Sequence, residues 1–203
     1  MANFDFLDFP IEASTIDIPN YTWFDNYLNN RTIIFNDEIC ENIVEKVILP
    51  LKKFEKDESN EPVTLILSST GGSVFDAFSL CSIIENYKKP LKIVNINYCM
   101  SMAFYILISG NNNPNVSNYC YQYSFGLLHS GDISVGGENN SVKDTIYFTE
   151  QMDEMIKDFV ISHTKINKEN YLEHNRKQWY MCADEMKEFG VVQNIIGVDC
   201  EDY

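Results

Sequence analysis

The alternation of strand-like and helix-like segments along this chain predicts an α/β fold, built on a parallel sheet with right-handed crossovers. Three stretches carry that prediction. Val63-Thr64-Leu65-Ile66-Leu67 is a near-continuous apolar run, the pattern of a strand covered on both faces. Leu91-Lys92-Ile93-Val94-Asn95-Ile96 follows Pro90, is rich in β-branched residues, and reads as a second strand. Met102-Ala103-Phe104-Tyr105-Ile106-Leu107-Ile108 is apolar all round and closes at Ser109-Gly110, which predicts a short helix buried in a core.

Composition narrows the class. At 203 residues the chain is read as one domain, and 45% hydrophobic content suits a soluble globular protein. Fifteen Lys+Arg against thirty Asp+Glu give a net charge of −15, which argues against a nucleic-acid or anionic-membrane partner. No apolar run reaches the ~18 residues of a membrane span, and Met1-Ala2-Asn3-Phe4-Asp5 lacks the basic region and apolar core of a secretory signal. Six cysteines are scattered without C-x-x-C spacing, so no zinc site is expected, and Cys81 and Cys99 read as small core residues. A reducing, cytoplasmic location follows.

Residues 1–30 read as an irregular aromatic arm with one short helix near Phe24–Leu28. Arg31–Phe35 is a strand, and Asp37 leads a helix to Phe54 that Pro50 should kink or split. After the charged loop Glu55–Pro62 and the strand at Val63 comes a glycine turn, Ser68–Ser73. An amphipathic helix follows through Val74, Ala77, Phe78, Cys81 and Ile84. The strand at 91–97 and the helix at 101–109 complete a β-α-β-α unit. Asn118–Tyr123 and Phe125–Leu128 are further strands, the second ending at His129. Gly131–Asn140 is a loop or edge hairpin. Helices are predicted over Val142–His163, Lys168–Arg176 and Ala183–Phe189, the last stopped by Gly190; a final strand takes in Val191-Val192 and Ile195-Ile196. His163 and His174, in long or charged helices, are read as surface residues.

Three short stretches hold the chemistry, each with two readings. Ser101 stands where a strand enters a buried helix. Serine there is most often an N-cap, yet a hydroxyl beside unpaired helix amides also suits a nucleophile. Gly71-Gly72 makes a tight strand-to-helix turn, or aims backbone amides at a carbonyl oxygen or phosphate. The phosphate reading lacks its motifs, since neither G-x-x-x-x-G-K-[ST] nor G-x-G-x-x-G occurs. His129 leaves a core strand for a glycine-rich loop, a position open to a structural or a catalytic histidine.

In order, these stretches resemble ClpP, the proteolytic subunit family of the Clp ATP-dependent proteases. Ser69-Thr70-Gly71-Gly72-Ser73 is similar to its Ser-Pro-Gly-Gly-Ser turn, with Thr70 in place of the proline. Cys99-Met100-Ser101-Met102-Ala103 is similar to its nucleophile segment. Gly126-Leu127-Leu128-His129 is similar to its histidine segment, and Ala183 through Val192 to its closing segment. The resemblance runs from about Arg31 to Ile196. It implies the ClpP/crotonase-like fold of repeated ββα units with a protruding long helix and strand. Residues 1–30 would be an arm and 31–203 a single peptidase domain, with a handle over about 130–165.

The resemblance also implies roles. Ser101 would attack the peptide carbonyl, His129 would carry its proton, and the amides of Gly72 and Met102 would form the oxyanion hole. The polar stretch 130–140 would pair with substrate and with an opposing ring, and Val142–His163 would join two stacked heptameric rings. Polypeptides would be degraded inside that chamber by acyl-enzyme chemistry, fed by an AAA+ unfoldase that consumes the ATP. The chain itself would need no cofactor or metal. One departure stands out: the family's third triad member is an aspartate, and the gapless reading places Gln178 there. An amide can hold an imidazole but brings no negative charge. Asn175, Asp184 and Glu185 are the alternatives. Rival readings are a catalytically impaired ring subunit and a phage head-maturation-type protease. Acyl-CoA hydratases share the broader architecture but use glutamates as acid and base.

Overall fold

The structure is a computed structural model that describes residues 30–131, 136–174 and 177–203. The stretch expected to form an aromatic arm, with a short helix near Phe24–Leu28, lies outside the described residues apart from Asn30.

One seven-stranded sheet organises the chain. Strands β1 (Thr32–Phe35), β2 (Val63–Ser69), β3 (Leu91–Met100), β4 (Val116–Tyr121) and β7 (Asn194–Ile196) are parallel neighbours in the order β1-β2-β3-β4-β7. Strand β5 (Phe125–Leu128) pairs with the far end of β3, and β6 (Trp179–Cys182) runs antiparallel beside β5. β3 therefore changes partner along its length: Leu91–Asn95 pairs with β4, and Tyr98–Met100 with β5. Asn95, fully buried, serves the gap between them. Its Nδ2 donates to Phe125 O (3.0 Å), its Oδ1 accepts from Asn97 N (3.2 Å), and its own carbonyl accepts from Ser124 Oγ (2.9 Å). Backbone groups that leave a ladder inside a protein need such partners.

Helices α1 (Leu49–Lys56), α2 (Val74–Glu85) and α3 (Met102–Ile108) belong to the crossovers of this sheet. All seven residues of α3 are buried, as its uninterrupted apolar sequence requires. Ser73 caps α2, accepting from Asp76 N at 3.3 Å. The long α4 (Asn139–His163) is mostly exposed; only Lys157, Val160 and His163 near its end are buried, so its first half protrudes. Helices α5 (Lys168–His174) and α6 (Ala183–Glu188) flank β6. No helix among the described residues is long and apolar enough to cross a membrane.

Several boundaries differ from the sequence expectation for physical reasons. The helix expected from Asp37 starts late, because Ile39 joins the glycine turn instead: its N–H donates to Gly71 O and its carbonyl accepts from Ser73 N, both at 2.8 Å. A π-helical turn, Val44–Ile48, runs directly into α1, with Leu49 N bonded to Val44 O, so the helix does not split at Pro50 but takes it up just after a π-helical turn. Val191-Val192 are not strand; Val191 N closes α6 by donating to Met186 O (2.7 Å). Gly131 and residues 136–138 carry no strand, Asn139-Asn140 already belong to α4, and residues 132–135 lie outside the description.

Two histidines expected at the surface are packed instead. His163 is 8% exposed, with Nε2 2.9 Å from Glu85 Oε1 and Nδ1 2.8 Å from Phe159 O, fastening the end of α4 to the end of α2. His174 stacks on Trp179, ring centres 4.2 Å apart. The helical pattern around each histidine had no means of showing which face it takes.

At the edge of the sheet, Asp57 binds Lys89 Nζ (3.0 Å) and Arg31 Nη1. The Lys89 hydrogen bond, and then Arg31, outweigh partial desolvation and hold its carboxyl below the ordinary 3.8. A carboxyl depressed in the folded state adds stability above its unfolded pKa and loses it as pH falls through the folded value. Wild type should therefore lose stability on acidification below about pH 4, and Asp57→Asn should flatten that part of the profile. Urea midpoints measured between about pH 2 and 6 check this; parallel curves would contradict it.

Candidate active site

The site lies where β3 and β5 end, at the carboxyl edge of parallel strands where α/β sheets hold their ligands. Ser101 joins β3 to α3 with φ 50° and ψ −126°, a backbone conformation that costs a non-glycine residue roughly 1–3 kcal/mol. Its own N–H donates to Leu127 O at 2.9 Å, continuing the β3–β5 ladder, and its carbonyl accepts from Phe104 N at 2.9 Å. Its hydroxyl makes no capping bond to α3. Ser101 thus stands in the N-cap position without acting as a cap.

The glycine turn is pressed against this junction. A Cβ on Gly71 would lie 2.8 Å from both Met100 O and Ser101 Cβ, and 3.0 Å from Met102 N. A Cβ on Gly72 would lie 2.2 Å from Ile39 O. Both residues have positive φ, 102° and 144°, so each needs glycine twice over, for space and for conformation. Ser69 Oγ braces the turn, donating to Asp37 O (2.6 Å) and accepting from Gly71 N (3.1 Å). Among the described residues, neither the Gly72 nor the Met102 amide has an acceptor. Two unpaired donors therefore sit on adjoining turns next to Ser101.

His129 follows β5 directly and is half-buried. The parallel register continued from Met100–Leu127 pairs Ser101 with Leu128, one residue before it. The antiparallel register of β5 and β6, continued by one pair from Leu128–Trp179, sets Gln178 opposite His129. Directly opposed residues share a face, with Cβ atoms about 4.5–5.5 Å apart. Sequence and register thus bring Ser101, His129 and Gln178 to neighbouring strand ends. Hydrogen bonds do not yet join them: among the described residues none links Ser101 to His129 or His129 to Gln178. Gln178 Oε1 instead accepts from Tyr180 Oη at 3.0 Å. Catalytic contacts are often loose without substrate.

Two of the three alternatives for the third position, Asp184 and Glu185, are less well placed. Asp184 is exposed on α6, Glu185 Oε2 closes the N-terminus of α6 by accepting from Cys182 N (3.0 Å), and Asn175 lies outside the described residues. Cys99, two residues from Ser101, is fully buried; burial pushes its thiol well above the ordinary range, so it stays protonated and is no rival nucleophile. A groove of about 530 Å³ opens beside the site between Val74, Ser130, Phe148, Met152 and Leu172. Strand β6, which Gln178 immediately precedes, went unread in the sequence. Its signal was there: Trp179 and Met181 face inward, Tyr180 and Cys182 outward, an alternation of period two.

These features define an α/β protein with its candidate site at the ends of parallel strands and a strained serine between strand and buried helix. A family model described as Clp protease matches residues 17–199, and the chain belongs to that family. It is 22% identical over 169 residues to the ATP-dependent Clp protease proteolytic subunit of Borreliella afzelii (strain PKo), covering 83% of this chain and 84% of that protein. It is 20% identical over 172 residues to the ATP-dependent Clp protease proteolytic subunit 3 of Rhodococcus jostii (strain RHA1), covering 85% and 84%.

Gly72→Ala drives a methyl group into the Ile39 carbonyl and holds alanine at positive φ. It should lower stability by about 2–3 kcal/mol, read as a fall in the unfolding midpoint. An unchanged midpoint would mean that this turn is not tightly held.

Proposed function

We propose that this chain is a serine endopeptidase of the Clp type, cutting unfolded polypeptides by acyl-enzyme chemistry inside an oligomeric chamber. The observation that carries the proposal is Ser101: strained, uncapping, and next to two unpaired amides. Ser101 Oγ attacks the scissile carbonyl carbon while His129 accepts its proton. The oxygen, now carrying the negative charge, is held by the amides of Gly72 and Met102; one such donor is typically worth about a hundredfold or more in rate. His129 then protonates the leaving amine, the C–N bond breaks, and the acyl group remains on Ser101 as an ester. A water that gives its proton to His129 hydrolyses the ester and restores the serine. Gln178 holds the His129 imidazole by accepting its Nδ1–H.

The names of the relatives support further parts of this reading. An AAA+ unfoldase delivers the polypeptide and spends the ATP, and this chain supplies the peptidase ring. Self-association is further supported by the exposed apolar residues of α4, among them Ile146, Tyr147, Phe148 and Met155. Stacked heptameric rings, with no cofactor in this chain and a cytoplasmic setting, complete the proposal. A second reading, an impaired ring subunit working beside an active one, is favoured by one observation. Among the described residues, the hydrogen bond of Gln178 Oε1 goes to Tyr180 and none joins Gln178 to His129.

Incubation with a fluorophosphonate followed by intact-mass spectrometry separates the two. The active reading expects one adduct, absent in Ser101→Ala and formed about a hundredfold or more slowly in His129→Ala. Gln178→Asp should then speed labelling further. Failure of the assembled protein to label, with labelling appearing only in Gln178→Asp, would establish the impaired subunit.

A further inference from the structure

The groove beside the candidate site is not a plain apolar slot. Its walls are apolar, with Val74, Phe75, Met152 and Leu172 among them, but Asp153, Glu154 and Lys157 line it too. Lys157 is occupied: its ammonium binds Glu154 and lies 3.8 Å from Asp158. Asp153 is exposed and has no ion pair among the described residues, so two carboxylates and one ammonium leave the lining with a net negative charge. The buried Tyr171 also lines the groove. Burial, with Asp153 and Glu154 adding to it, pushes that phenol up to about 12, so it stays protonated and offers a polar wall without charge.

Position decides what enters. The groove is bounded by Val74, two residues past Gly72, and by Ser130, the residue after His129. A peptide whose scissile carbonyl oxygen is held by the Gly72 and Met102 amides presents at its mouth the side chain on the acyl side of the bond. An ammonium placed among apolar walls alone would lose its hydration without compensation. A long basic side chain avoids that loss by laying its methylenes on the walls and keeping its charged end at a carboxylate near water.

We propose that Asp153 is a specificity-determining residue and that the groove takes a long basic side chain, lysine or arginine, next to the scissile carbonyl. This rests on the roles of Ser101 and the two amides given above. The stem covers Phe75, Met152 and Leu172, the charged end reaches Asp153, and an acidic side chain is repelled.

Peptide diphenyl phosphonates that differ only in a lysine, norleucine or glutamate side chain next to phosphorus test this, with the rate of Ser101 labelling read by intact-mass spectrometry of the full chain. The lysine probe should label about tenfold faster than the glutamate probe, since attraction and repulsion near the surface are each worth up to about fivefold. Norleucine, with a similar stem and no charge, should fall between them. Asp153→Asn should lower the lysine-to-glutamate ratio about threefold, Asp153→Lys should invert it, and added salt should narrow it in wild type. Glutamate labelling as fast as lysine, norleucine outpacing lysine, or a ratio that neither variant lowers would each overturn the assignment. A simple alkyl fluorophosphonate keeps the failures apart. Without its adduct on Ser101 the peptidase reading and this inference fall together, whereas a labelled Ser101 with no preference among the peptide probes overturns the role of Asp153 alone.

Discussion

On the side away from β2, strand β3 serves two neighbours in turn, β4 and β5, and the rest of the molecule is arranged around that fact. Its first five residues belong to the regular parallel sheet, and its last three turn to β5, which brings the ends of β3 and β5 side by side. A strand that changes partner strands its own backbone groups inside the protein, where each unpaired group costs about 1–3 kcal/mol. Asn95 and Ser124 remove that cost with three hydrogen bonds. Without this junction, Ser101 and His129 would end on separate parts of the sheet.

The same junction explains how Ser101 keeps an unfavourable backbone. Strain of 1–3 kcal/mol is small beside the burial of α3, whose larger side chains contribute about 1.5–3 kcal/mol each. The ladder bond to Leu127 fixes one side of the serine, and α3 fixes the other. Gly71 fills the space against it so closely that no Cβ fits. The turn that strains the serine therefore also brings the amides of Gly72 and Met102 together. That neither has an acceptor among the described residues follows from geometry: one lies in a turn whose other groups pair with Ile39, the other at a helix start with no preceding turn.

With the proposed roles, position 178 is where this member of the Clp protease family departs from the pattern it resembles. An aspartate would supply charge and orientation at once. A glutamine supplies neither by itself: its dipole is weaker than a charge, and its two ends are interchangeable.

Much of the fold was legible in the sequence because it depends on local periodicity. The apolar run at Val63, the β-branched run at Leu91, the all-apolar Met102–Ile108 and the helix at Val74 appear where expected, since burial on both faces or on one stripe leaves its mark residue by residue. The order of the Gly-Gly, Ser and His segments likewise marked the candidate site and the family. Tertiary structure decided what periodicity does not encode. Whether Ser101 caps its helix depends on ψ at a single residue, held by strand pairing with β5 and by the close approach of Gly71. Ile39 leaves its helical pattern because the glycine turn offers it two backbone bonds. His163 is buried because Glu85, 78 residues away, meets it at the end of α2. The last β5–β6 pair, Leu128–Trp179, leaves His129 and Gln178 as the next residues of the two chains, and register is a relation between distant segments that no single segment carries.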